Sequence, residues 1–116
     1  MLLNKTTGKK VMPKAVLAET PWQKMKGLMF EDAQRFDYAL VFVLPRESIV
    51  NASIHMLFVF FPIDVVYLSK AKKVVDIVKN LQPFALGYAP KNPAKFFVEL
   101  PAGKAKGIKI GDKLEW

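Results

Sequence analysis

Apolar residues in this chain come in short runs separated by clusters of Gly, Pro, Ser, Asn and Asp, and most of the runs are too short for a helix. The longest run extends from Ser53 to Leu68 and is interrupted by Pro62, which cannot donate to a strand ladder. It therefore divides into Ser53–Phe61 and Ile63–Leu68, hinged at the proline. Tyr38–Leu44 is a second continuous run, rich in β-branched and aromatic residues and followed by Pro45, as expected for a buried strand closed by a polar turn at Arg46–Ser48.

The remaining strand candidates follow from the same signals. Leu2–Asn4 and Val11–Ala18 flank a Thr6-Thr7-Gly8 turn and predict a hairpin, with Pro13 on an edge or at a bulge. Val65–Leu68 and Val74–Val78 predict a hairpin across Ser69–Lys73. Lys95–Leu100 alternates, with Phe97 and Glu99 on one face and Phe96 and Val98 on the other. Pro101–Gly107 has room for one helical turn, and Lys113–Trp116 predicts a terminal strand. One helix start stands out. Thr20 can cap, Pro21 suits the first helical position, and Gln23 can complete a capping box. Gly27 is placed to end that helix in the left-handed conformation. Trp22, Met25 and Met29 are the candidates for its buried side. Seven or eight short strands with one or two short helices predict a mainly β, compact barrel-like or sandwich-like domain over residues 1–116.

Composition supports that fold and narrows the chemistry. A 116-residue chain with 52% hydrophobic residues can build a full core without staples. The absence of cysteine excludes disulfides, thiolate metal sites and a cysteine nucleophile. Met1–Lys10 is polar and basic, and no run reaches the ~20 apolar residues of a spanning helix. The expectation is a soluble, cytoplasmic protein with no membrane partner. The formal net charge of +8 favours polyanionic partners. Lysine supplies nearly all of it, with Arg35 and Arg46 the only arginines, whereas base reading and bidentate phosphate recognition favour arginine.

Several segments, in order, resemble the DUF192 (UPF0127) family. They are Glu19-Thr20-Pro21 with Lys26-Gly27-Leu28-Met29-Phe30, then Ala39–Pro45, then Pro62-Ile63-Asp64-Val65-Val66-Tyr67 with Val74-Val75-Asp76-Ile77. The last are Phe97-Val98-Glu99-Leu100-Pro101-Ala102-Gly103 and Gly107-Ile108-Lys109-Ile110-Gly111-Asp112. The family's F-W-M-K-N-T segment corresponds to Ile54-His55-Met56-Leu57-Phe58, which keeps the methionine and loses the Trp-Lys-Asn character. The resemblance implies a β-rich pseudo-barrel with short helices, and it implies no particular activity.

Five polar residues set beside or within apolar runs are the candidates for a ligand site: Asn51, Ser53, His55, Asp64 and Glu99. His55 is the one side chain that titrates naturally near neutrality. A lone histidine makes a poor metal site, so no metal and no cofactor are expected. Asp64 follows Pro62 by two residues, where it can serve a cleft or accept backbone N–H groups in a turn. Glu99 precedes Pro101-Ala102-Gly103 and can face a pocket or pair across strands. Neither Pro101-Ala102-Gly103 nor Gly111-Asp112 matches a phosphate-loop fingerprint. The lysines of the last third (Lys91, Lys95, Lys104, Lys106, Lys109 and Lys113) form either one basic face or a dispersed solvated set. The expected role is a binding or accessory module for a small ligand or protein partner. The alternatives are an acid–base or hydrolytic enzyme using His55 and Asp64, and a lysine-rich, non-specific nucleic-acid binder.

Overall fold

The computed structural model of the chain describes residues 1–49, 52, 56, 58–85 and 88–116. The candidates Asn51, Ser53 and His55 lie outside the described residues. Eight strands are described: β1 (Leu2–Asn4), β2 (Lys9–Met12), β3 (Ala15–Ala18), β4 (Ala39–Ser48), β5 (Ile63–Leu68), β6 (Val74–Leu81), β7 (Ala94–Pro101) and β8 (Leu114–Glu115). They are joined by one α-helix, α1 (Pro21–Lys26), and a 3-10 turn over Ala33–Arg35. The mainly β expectation holds.

The strands form two sheets. One has three strands in the order β2-β1-β8, and the other has five in the order β3-β4-β7-β5-β6. Pro13 splits the expected second strand into β2 and β3, which join different sheets. β3 runs parallel to β4, and all other pairings are antiparallel. A parallel neighbour requires a crossover, which residues 19–38 supply.

The crossover opens with the expected helix. Thr20 Oγ1 accepts the Gln23 N–H at 3.1 Å, and Gln23 Oε1 accepts the Thr20 N–H at 3.1 Å, closing a capping box. Trp22 is 65% exposed rather than buried, because a helix of six residues turns only a narrow stripe toward the sheet. β4 does not stop at Pro45. Its pairing with β7 shifts register between Val43 and Ser48, and this bulge carries the proline past the ladder without a missing donor. The polar turn expected at Arg46–Ser48 is therefore strand. The helical turn expected after Pro101 is a run of non-helical turns instead.

Both faces of the five-stranded sheet are covered, which explains why β5 is apolar at every position but Asp64 and is buried at all six. Side-chain alternation assigns each residue to a face. On the first face Phe42, Val65, Tyr67 and Phe97 pack under Leu28, Phe36, Met56 and Phe61. On the second, Val41, Val66, Val98 and Leu100 pack under Leu2, Met12 and Leu114 of the small sheet and under Ala105 and Ile108. Burying one such valine stabilises the fold by about 2 kcal/mol. Among the described residues no helix is long and apolar enough to cross a membrane.

Candidate functional site

Glu99 sits in the middle of the five-stranded sheet. β7 places it opposite Leu40 of β4 and Val65 of β5, both apolar. Alternation puts it on the first face with Phe97, as the sequence pattern predicts. The side chain is buried, and its Oε1 has no hydrogen-bond partner among the described residues. Burial pushes the carboxyl from its ordinary 4.5 up to about 8, so at neutral pH it carries a proton and no charge.

The chain passes over this carboxyl at Gly27. A Cβ at that position would lie 3.2 Å from Phe42 Cζ and 3.9 Å from Glu99 Oε1. Gly27 has φ +47° and ψ −123°, a conformation outside the left-handed helical basin expected for a helix end and open chiefly to glycine. The residue that ends α1 thus also admits the backbone close to the buried acid.

Tyr67 is the second unusual group on this face. It lies opposite Phe97, so it is the diagonal neighbour of Glu99, roughly 7–8 Å away by sheet geometry. It is fully buried, and its hydroxyl also lacks a partner among the described residues. Burial raises its pKa, with Tyr88, Glu99 and Asp76 adding to the effect. Aromatic rings pack around the pair. Phe42 stacks on Phe97 at 4.3 Å, Tyr67 lies 5.9 Å from Phe97, and Tyr88 stacks on Tyr67 at 6.0 Å. Asp76 on the neighbouring strand is satisfied, accepting from the Ile77 and Lys91 N–H groups and the Tyr88 hydroxyl.

Asp64 occupies the opposite face. It pairs with Leu100 in the ladder, one position out of phase with Glu99, so the two carboxyls point to different sides of the sheet and do not meet. Its Oδ1 accepts the Asn80 N–H at 2.9 Å, while Oδ2 accepts the N–H groups of Gly103 at 2.9 Å and Ala105 at 3.0 Å. Asp64 therefore ties the end of β6 to the turn that follows β7. The backbone-accepting role open to it in sequence is realised, although its donors come from 16, 39 and 41 residues away. Tyr67 and Gly27 were not singled out as site residues from sequence. The available signal for Tyr67 was its place two residues from Val65 on one strand face, which becomes informative only once Val65 is known to pair with Glu99.

An aromatic cluster adjoins the first-face cover. Phe30 stacks on Phe58 at 4.8 Å, Phe60 lies 6.4 Å from Phe30, and Phe84 contacts Phe58 and Phe60 at 6.2 and 5.4 Å. All four rings are solvent-exposed, Phe30 by 67%. Phe30, Phe58 and Phe84 have φ of 61°, 57° and 62°, a conformation that costs a bulky L-residue about 1 kcal/mol each. The Phe30 N–H donates to the Phe58 carbonyl at 2.8 Å, and the Phe84 N–H to the Met56 carbonyl at 2.9 Å, which fixes these segments together. Among the described residues no cluster of His, Cys, Asp or Glu is arranged to hold a metal.

Three comparisons place this architecture. The model of the DUF192 family, described as Uncharacterized ACR, COG1430, matches residues 2–116. A UPF0127 protein of Thermococcus sibiricus is 41% identical over all of this chain and 74% of its own length. One of Pyrococcus furiosus is 42% identical over 99% of this chain and 97% of its own. A crystal structure of a protein of unknown function from Novosphingobium aromaticivorans, 27% identical, superposes with a TM-score of 0.86 over 99% of this chain and 82% of that one. With its full-length family match and these relatives, the chain belongs to the DUF192 (UPF0127) family.

Proposed function

We propose that residues 1–116 act as one binding domain for a small, neutral ligand that carries a hydrogen-bond acceptor and a flat apolar body. The observation that carries this reading is the pair of buried polar groups without partners among the described residues, Glu99 Oε1 and Tyr67 OH, on one face packed with aromatic rings. Buried polar atoms are nearly always paired, so two on the same face mark a place where a ligand or water completes the bonding. A protonated carboxyl and a phenol both donate, which suits a carbonyl or amide oxygen. Neutral chemistry follows from the same protonation, since a cation would meet no negative charge there at pH 7.

Benzamide is a suitable probe. In the wild-type chain it is expected to shift the NMR signals of Phe42, Tyr67 and Phe97 at millimolar concentration, and Tyr67→Phe or Glu99→Leu is expected to abolish those shifts. If no neutral aromatic amide or ketone shifts these signals, and both variants are merely more stable, the two groups hold solvent and the reading fails.

The phenylalanine cluster favours a second reading, docking of a partner protein through an apolar surface. A net charge of +8 opposes pairing with another copy of this chain, so the partner would be a different protein. Because the rings are exposed, the double variant Phe30→Ser with Phe60→Ser is expected to unfold within roughly 1 kcal/mol of wild type. Sedimentation of the unmodified chain is expected to give a monomer. A large stability loss would make the cluster a core element, and a dimer that the double variant disrupts would replace the foreign partner with self-association.

A further inference from the structure

A cleft of about 270 Å³ opens on the other side of the molecule, between the β1–β2 hairpin and the turn after β7. Lys9, Lys10, Lys104 and Lys106 line it, together with Thr7 and the backbone of Gly103 and Gly107. No carboxylate lines it. None of the four lysines has an ion-pair partner among the described residues, where the one salt bridge is Lys26–Glu31. Side chains from two ends of the sequence therefore concentrate positive charge in one concavity.

Both walls are fixed by buried polar groups rather than left as free loops. Asp64 holds the Gly103 and Ala105 N–H groups from below. Asn4 Oδ1 accepts the N–H groups of Thr6 at 3.1 Å and Thr7 at 3.4 Å, while its amide donates to Asp112 Oδ2 at 2.9 Å. Gly103 and Gly107 have φ of +92° and +88°, and a Cβ at either position would meet nothing within 4 Å, so the floor stays open.

We infer that this cleft is a binding site for a small phosphorylated anion, of the size of a di- or triphosphate group. Lysine ammonium groups act as point charges for phosphate, and Thr7 adds a hydroxyl donor. The cleft has no aromatic residue to stack a base and no arginine to read one, which favours a compact phosphate group over a nucleic-acid strand. The site lies away from Glu99 and Tyr67 and is independent of the ligand proposed there.

Inorganic tripolyphosphate tests the inference by calorimetry on the full chain. Saturable binding with one site is expected at low salt, weakening steeply as salt rises. The pair Lys9→Gln with Lys104→Gln is expected to weaken it at least roughly tenfold, and the pair Lys70→Gln with Lys79→Gln, outside the cleft, by less than about twofold. All four positions are surface lysines, and matching thermal melts would confirm that each variant folds. Absence of binding at millimolar tripolyphosphate overturns the inference. Equal weakening by both pairs does the same, since the charge as a whole would then be responsible. So does tighter binding of a single-stranded oligonucleotide that depends on both pairs, which would assign the lysines to nucleic acid.

Discussion

Replacing Asp64 with alanine is expected to lower the unfolding free energy by about 3–5 kcal/mol. The carboxylate is 1% exposed and accepts three backbone N–H groups, from Asn80, Gly103 and Ala105. Alanine leaves those donors without acceptors inside the fold, and each carries a desolvation cost of about 1–3 kcal/mol unless the turn opens to water. Opening relieves the donors but uncovers Ala105 and Ile108, which close the second face of the sheet. Asp64→Asn keeps one acceptor and turns an N–H₂ toward another donor, so an intermediate loss is expected. Denaturant unfolding measures the first effect, and hydrogen exchange at Gly103 and Ala105 locates it. An alanine variant within 1 kcal/mol of wild type, with those amides still protected, would show that Asp64 does not hold this turn.

Glu99→Gln is expected to act in the opposite direction and to do so with pH. In the unfolded chain the carboxyl titrates near its ordinary 4.5, and in the folded chain near 8. Between those values the folded state holds a proton that the unfolded state releases, so raising the pH draws the chain toward unfolding. The stability associated with this group is complete below about 4.5 and is lost as the pH rises through 8. The whole window corresponds to on the order of 3–5 kcal/mol. Glutamine keeps the shape and the donor of the protonated acid and cannot ionise. The variant is therefore expected to equal wild type near pH 4 and to exceed it increasingly toward pH 8. Unfolding curves at several pH values test this, and parallel pH profiles for the two proteins would mean that the carboxyl is already ionised in the fold.

The legible parts of this fold are those whose causes are local. The capping box is written in Thr20, Pro21 and Gln23, and Pro62 does separate β5 from what precedes it. Alternation in β7 placed Phe97 and Glu99 on one face from sequence alone. Pro45 was misleading because its effect depends on a bulge against β7, a partner some fifty residues away. The site was less legible for the same reason. Asp64 and Glu99 were equal candidates until the pairing of β5 with β7 put them on opposite faces, one with its oxygens bonded to the backbone and the other with an unmatched oxygen. Lys9 and Lys10 carried no sign in sequence that Lys104 and Lys106 would stand across a cleft from them.

The pairing of β1 with β8 bears on how the chain is assembled during synthesis. Leu3 lies opposite Glu115 and Asn4 opposite Leu114, so the small sheet joins the first described strand to the last. Before β8 emerges, β1 and β2 are a two-stranded hairpin, which is marginal in water. Val66, Val98 and Leu100 then lack part of their cover, although the five-stranded sheet that bears them can already form. A nascent chain in which β8 has not yet docked would present that apolar layer to the ribosome's surroundings, and the layer's exposure would end once β8 pairs with β1.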